Sequence, residues 1–284
     1  MHPRNIHNEG YDFASLIMSH QELQTYVEKN AFGNNSIDFS DNRAVLQLNK
    51  AILKHYYQIT EWNIPEYYLC PAIPGRADYI HYIADLLKEE DDNLPIKGLD
   101  IGTGANCIYA ILGAQIYGWH MVGSDIKLPS IAAAQANIEA TKALKKKIKI
   151  RHQNDNAHIF EGIIKKDEYY HFTMCNPPFH KSEAEATKGT LRKTKNLEYK
   201  SSILNFGGQS NELWCNGGEA LFIKRMIKQS INYKRQVGWF SSLVSKKENL
   251  AKLYKQLNKL PVVHKTIQMN QGNKKSRFIA WKFQ

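Results

Sequence analysis

No two of the four cysteines, Cys70, Cys107, Cys175 and Cys215, are close enough in sequence to form a C-x-x-C pair. That argues against a zinc knuckle or ribbon, and no metal is expected. Four thiols in 284 residues are also too few for a disulfide-stapled scaffold, so a reducing, cytoplasmic setting is the expectation. No apolar run approaches the roughly 20 residues needed to cross a bilayer, and the mean hydropathy is −0.50. Neither property fits an integral membrane protein. Residues 1–15 carry His2, Arg4, Asn5, His7 and Glu9 and lack the apolar centre of a signal peptide. Internal repeats and long low-complexity stretches are missing too. Acidic residues are scarce in one region: residues 224–284 hold 15 Lys/Arg against a single acid, Glu248, a net +14. Residues 1–223 hold 23 Lys/Arg against 26 acids, a net −3. The overall +11 therefore belongs to the C-terminal fifth. It fits a polyanionic partner as readily as a solvated Lys-rich surface.

With 43% hydrophobic residues the chain can build one large domain, or one domain plus an extension. Residues 1–95 read as a mostly helical N-terminal extension. Ser40 or Asp41 is placed to cap a helix with Ala44, Val45, Leu48, Ala51 and Ile52 on one face. Pro65, Pro71 and Pro74 interrupt the chain, and a second helix is expected after Gly75. From residue 96 to 284 strands alternate with helices. Strands are predicted at Lys97–Ile101, Met121–Ile126, Ile148–His152, Tyr169–Cys175 and Val237–Val244, with helices between them. That alternation predicts an α/β fold, a Rossmann-like doubly wound sheet. Lys265–Met269 and Arg277–Phe283, joined by a turn with Gly272 and Asn273, predict a C-terminal antiparallel hairpin. Residues 180–218 are polar with little periodicity and read as a loop insertion. They begin at the C-terminal end of a strand, where open α/β sheets bind ligands.

Leu99-Asp100-Ile101-Gly102-Thr103-Gly104-Ala105 ends a strand and opens a helix. Gly102 and Gly104 permit a tight turn and a close approach of ligand to backbone. An ordinary βα turn needs no more than this, but Asp125 follows at the end of the next strand, where a carboxylate accepts both ribose hydroxyls of an adenosine-containing cofactor. Cys107 occupies the place of the third glycine of a dinucleotide fingerprint, which weakens a pyrophosphate reading and an NAD-linked oxidoreductase with it. Asp100, before the first glycine, suits a cationic ligand. S-adenosylmethionine carries a sulfonium and an ammonium group. Asn154, Asp155 and Asn156 follow the third strand, where they either read an adenine amino group or simply form a turn.

Asn176-Pro177-Pro178-Phe179 is the most informative segment. Two prolines at a strand end fix φ and remove two N–H donors. The Asn176 amide oxygen and the Pro177 carbonyl then form paired acceptors, matching the two hydrogens of a planar amino group. Phe179 can stack on a flat base or amide. Holding both hydrogens aligns a conjugated nitrogen lone pair for in-line attack on a sulfonium methyl group. The segment resembles the signature of amino-group methyltransferases acting on adenine N6, cytosine N4 or a glutamine amide. Phe179 in place of Tyr favours the nucleic-acid branch.

The resemblance extends along nearly the whole chain. His2-Pro3-Arg4-Asn5, Tyr11-Asp12-Phe13, Ile37-Asp38-Phe39, Leu69-Cys70-Pro71 with Ile73-Pro74-Gly75-Arg76-Ala77-Asp78-Tyr79-Ile80-His81, the glycine loop through Tyr109, Asn176-Pro177-Pro178-Phe179, and Phe206-Gly207-Gly208-Gln209 with Glu212-Leu213-Trp214-Cys215 resemble the ribosomal RNA large subunit methyltransferase F family. Ala72 is a departure, at a place where a second proline is expected. The resemblance implies a class I S-adenosylmethionine-dependent methyltransferase that methylates N6 of a specific adenine in 23S rRNA. Its partner is then 23S rRNA or a large-subunit assembly intermediate. It implies a cofactor site from Arg76, Gly102, Asp125 and the segment around Asn156, with Arg76 on the cofactor carboxylate and Asn176 bridging cofactor and base; the reading of the residues themselves adds Asp100, Gly104 and Asp155. Arg76 alone reads equally as a surface arginine. Candidate RNA contacts are the C-terminal lysines, a run at Lys181, Lys188, Arg192, Lys193, Lys195 and Lys200, and another at Lys145, Lys146, Lys147, Lys149 and Arg151, each of which reads equally as solvated surface; His2, Arg4 and His7 either contact RNA or order over the active site. Phe206 and Trp214 either cap the base pocket or pack in the core. A protein glutamine-amide methyltransferase and a non-catalytic RNA-binding module are the alternatives.

Overall fold

A computed structural model of the chain describes all residues except 67, 89–94, 179–216 and 272–273. Phe179, the expected loop up to residue 216, its basic run, Phe206, Trp214 and Cys215 lie outside the described residues.

The N-terminal helices begin where the sequence offers caps. Asp12 accepts from the Ala14 N–H to open α1 (Phe13–Ser19). A short hairpin of β1 (Val27–Lys29) and β2 (Asn35–Ile37) follows; at three residues per strand it carries no alternation to read. Asp41 accepts from the Arg43 N–H to open α2 (Asn42–Tyr57), which buries Ala44, Leu48, Ala51 and Ile52; such a cap contributes about 1 kcal/mol. The next helix, α3, spans Ile73–Leu87 and so starts ahead of the expected point. Proline is tolerated in a first turn, where its missing N–H has no partner to lose. Pro74 and Gly75 therefore lie inside α3 and Arg76 is helical.

The rest alternates as expected: β3 (Lys97–Ile101), α4 (Ile108–Tyr117), β4 (His120–Asp125), α5 (Leu128–Glu139), a single turn α6 (Lys142–Lys145), β5 (Ile148–His152), β6 (Tyr170–Cys175), α7 (Gly218–Ser230), β7 (Val237–Leu243), α8 (Asn249–Leu257), β8 (Val262–Gln271) and β9 (Lys274–Phe283). The seven strands run in the order β5-β4-β3-β6-β7-β9-β8. Five are parallel, and β9 is antiparallel to both β7 and β8. The hairpin is longer than its sequence pattern predicts, and it places β9 between β7 and β8.

Both sheet faces are covered, which explains the unbroken apolar runs in the strands. Trp239, Phe278 and Ala280 join one apolar cluster, while Phe240, Ile279 and Trp281 join the other. The first cluster also contains Leu16, Leu48, Ile52, Ile80 and Ile83 from the N-terminal helices. These cover the outer side of α4, in which every residue from Ile108 to Ala114 is buried. A helix apolar all round needs such cover on its second side.

The N-terminal residues are anchored onto α3. The His2 backbone N–H and the Asn5 amide both donate to Asp78 (2.8 and 2.6 Å). Arg4 pairs with Asp85 at 2.7 Å and donates to the Tyr117 hydroxyl at 3.0 Å. His7 is buried beside Tyr57, and burial lowers its pKa to about 4. His2 and His7 are therefore buried and Arg4 is held by Asp85 and Tyr117, so these side chains order the N-terminal segment against the fold and do not stand free for RNA. Arg151 is likewise drawn away, into a two-point pair with Glu168, and Lys147 turns toward the Ala114 carbonyl at 3.4 Å. Among the described residues no helix is long and apolar enough to cross a membrane, and no cluster of His, Cys, Asp or Glu is arranged to hold a metal.

Candidate active site

The connections reverse direction between β3 and β6, and crevices open at such switch points. A cavity of about 370 Å³ lies there. The glycine loop forms one wall. Gly102 and Gly104 adopt φ of +71° and +64°, a region closed to most side chains. The Gly102 and Thr103 N–H groups both donate to the Ser124 carbonyl at 2.9 Å. A Cβ at Gly102 would meet no protein atom within 4 Å, so it would project into space left for a ligand. The turn beyond is buttressed from elsewhere in the chain. Trp62 donates to the Asn106 carbonyl (2.8 Å) and Asn137 to the Ala105 carbonyl (3.2 Å). Cys107, in place of the third glycine, is fully buried in the left-handed region and precedes α4.

Asp125 lines the cavity and accepts from the Gly104 and Lys127 N–H groups at 3.0 and 2.9 Å. Burial raises its pKa, and these N–H groups oppose the shift. Asp100 is not on the wall. It lies fully buried behind the loop, one oxygen accepting from the Thr103 hydroxyl at 2.8 Å. Its other oxygen has no partner among the described residues. Burial pushes this carboxyl up to about 7. Thr103 lowers it, Asp125 raises it, and Arg76 lowers it.

Arg76 reaches the cavity from the first turn of α3. It donates to the Tyr109 hydroxyl at 2.6 Å, and its guanidinium carbon lies 5.3 Å from the centre of that ring. Asn176 follows the last residue of β6. Its amide oxygen is buried without a partner among the described residues, a costly state unless a ligand supplies a donor. Pro178 lines the cavity beside it, whereas Pro177 is buried behind. Asn156 lines the cavity, and Asp155 does not. The Asp155 carboxylate accepts from the Ala157 N–H at 2.7 Å and pairs with His158 at 3.5 Å. It shapes the turn that presents Asn156, the ordinary use of an Asx side chain.

The cavity thus gathers Arg76, Gly102, Gly104, Asp125, Asn156 and Asn176 from five separate stretches of chain. It also uses residues to which the sequence pattern assigns no role: Tyr109, Ile126, Gln153, Phe222 and Arg225. Gln153 adjoins Asn154 at the end of β5, so its place at a strand end is the signal that could have found it. Phe222 and Arg225 carry no local signal. They face the site because the Gln229 side chain bonds the Ile159 N–H and the Ala157 carbonyl (2.7 Å each), fixing α7 against that turn.

The family model described as RNA methyltransferase matches residues 1–284. The chain belongs to this family. Curated relatives named ribosomal RNA large subunit methyltransferase F include one from Christiangramia forsetii, 62% identical with all of both chains covered. Another, from Cytophaga hutchinsonii, is 53% identical over all of this chain and 91% of that one. Among solved structures, the human METTL16 catalytic domain in complex with MAT2A 3'UTR hairpin 1 superposes with a TM-score of 0.86 at 31% identity, covering 100% of this chain and 96% of that one. The N-terminal domain of human METTL16 in complex with SAH gives 0.79 at 28% identity, covering 100% and 99%. The RNA methyltransferase accordingly has a class I methyltransferase fold, and the cavity just described lies at the strand ends where that fold binds ligands.

Proposed function

We propose that this enzyme transfers a methyl group from S-adenosylmethionine to N6 of a specific adenine in 23S rRNA, acting in the cytoplasm on the rRNA or on a large-subunit assembly intermediate. The observation that carries the reading is the Asn176 amide oxygen, which has no partner among the described residues and is buried at the end of β6 in a cavity shared with the glycine loop. The names of the full-length relatives support the choice of substrate.

The residues present fit the cofactor. Gly102 and Gly104 leave room for it, Asp125 accepts from the ribose, and Asn156 faces the adenine end. Arg76 takes the carboxylate, and Asp100 supports the glycine loop from behind through the Thr103 hydroxyl. When bound, S-adenosylmethionine supplies an electrophilic methyl group on sulfonium sulfur. The target adenine has to leave its stack to enter the cavity. Asn176 and the Pro177 carbonyl accept the two N6 hydrogens. The new N6–C bond forms as the S–C bond breaks, and the N6 proton passes to solvent. No strong base is required, because that proton becomes acidic as the bond forms.

Mapping N6-methyladenine in 23S rRNA from cells with and without the protein tests the reading. One adenine should lose its methyl group in the deletion strain and regain it on complementation. Methyl transfer that survives RNase digestion of the substrate would sink it in favour of a protein amide acceptor.

A further inference from the structure

The strand end that carries Asn176 is supported unequally on its two sides. Toward β3, pairing continues to Ile101↔Cys175. Toward β7, pairing stops at Thr173↔Phe240, while β7 itself continues to pair with β9 as far as Leu243↔Phe278. Buried main-chain groups beyond that point need other partners. Two hydroxyls supply them. Ser241 donates to the Thr173 carbonyl at 2.8 Å. The Cys175 backbone N–H donates to the Tyr79 hydroxyl. The two hydroxyls lie 2.8 Å apart. Ser241 has spent its only proton on Thr173, so Tyr79 is the donor between them. The result is one directed chain, from the Cys175 N–H through Tyr79 and Ser241 to the Thr173 carbonyl. Tyr79, Ser241 and Thr173 are each 0% exposed and Cys175 is 1% exposed.

We propose that Tyr79 and Ser241 are positioning residues for methyl transfer: their hydroxyl chain sets where β6 ends and so aims the Asn176-Pro177-Pro178 acceptors. The inference rests on the role of Asn176 in the proposed function. Tyr79 is suited to the task because α3 fixes it from several sides. Its neighbour Asp78 holds the N-terminal segment. Its ring packs 4.7 Å from Phe278 and meets Tyr109, the residue that holds Arg76, edge-on at 5.6 Å. One helix therefore supports both the proposed cofactor-carboxylate contact and the acceptor loop.

The test compares Tyr79→Phe, Ser241→Ala and the double variant with wild type. Tyr254→Phe serves as the control, because its hydroxyl is bonded to Thr266 (2.7 Å) away from the cavity. A misplaced acceptor should lower kcat about ten- to hundredfold on unmethylated 23S rRNA, with KM and the SAH dissociation constant changed by no more than about twofold. Because both hydroxyls act through one chain, the double variant should be no slower than the slower single variant. Tyr254→Phe should match wild type. Exchange of the Cys175 amide should quicken by about tenfold or more in Tyr79→Phe. Unchanged kcat per folded enzyme, or an unchanged exchange rate, would overturn the proposal. If Tyr79→Phe does not fold, Ser241→Ala carries the kinetic arm alone. Failure of the parent reading is distinguishable: wild type then yields no N6-methyladenine, while the exchange arm still decides whether the chain holds the strand end.

Discussion

Arg76 and Tyr109 form a single unit: the guanidinium both donates to the phenol oxygen at 2.6 Å and lies 5.3 Å from the ring centre. Tyr109 is buried, so it fixes the arginine from within the fold. The arrangement turns a flexible side chain into an aimed fork. Replacing Arg76 with Lys keeps the charge and loses the fork. A charge-assisted hydrogen bond is worth about 1.5–3 kcal/mol, so SAH affinity measured by calorimetry should fall roughly ten- to hundredfold. Tyr109→Phe should produce a smaller loss. Wild-type affinity in Arg76→Lys would remove this residue from the site.

Asn176 is expected to act on the transition state more than on cofactor binding. Removing one well-aimed hydrogen-bonding group at a reacting centre costs about 10²–10³ in rate. Asn176→Ala should therefore lose most single-turnover methylation, while melting temperature stays close to wild type. Methylation at the wild-type rate would show that the acceptors lie elsewhere.

Asp100 makes a prediction about pH. Its carboxyl keeps a proton up to about pH 7 in the folded chain, against 3.8 for an ordinary aspartate. Between those values the folded state holds a proton that the unfolded state has released. Folding therefore weakens as pH rises through this window. Urea midpoints of the cofactor-free enzyme, measured from pH 5 to pH 8, should contain a falling component that Asp100→Asn abolishes. Identical pH profiles for the two proteins would show that the carboxyl is ionised throughout.

RNA affinity should depend steeply on salt. The exposed lysines Lys247, Lys252, Lys255 and Lys259 lie on or beside α8 in the basic C-terminal fifth. If they meet phosphates, changing all four to Gln should flatten the log–log salt slope by about 0.7–0.9 for each phosphate no longer neutralised. SAH affinity should not change. Arg4→Ala is the contrasting variant: Arg4 is paired with Asp85, so its effect should appear in stability and not in the salt slope. An unchanged slope in the four-lysine variant would place RNA binding elsewhere.

Much of the architecture could be read from local pattern. The glycine loop, the acid at Asp125, the Asn176-Pro177-Pro178 strand end and the C-terminal hairpin each depend on neighbouring residues obeying short-range rules of φ, capping and alternation. These rules act on a few consecutive residues, so the primary structure states them directly. Local pattern misleads where one residue type serves two purposes. Asp155 carries the chemistry of a ligand contact, but the nearby Ala157 N–H claims its carboxylate. His2, Arg4 and His7 resemble an RNA-binding arm until Asp78, Asp85 and Tyr57 take them up.

The chain as a string of residues thus pointed to the glycine loop and the Asn176-Pro177-Pro178 motif and fixed the uneven distribution of charge. Folding decided which side chains meet across large separations. Tyr79 and Ser241 stand 162 positions apart, and nothing in either neighbourhood announces the other. Their contact exists because the pairing of β6 with β7 ends at Thr173↔Phe240, just where β6 still has buried main-chain groups to satisfy. Only the assembled sheet, with α3 pressed against it, brings a hydroxyl to that place.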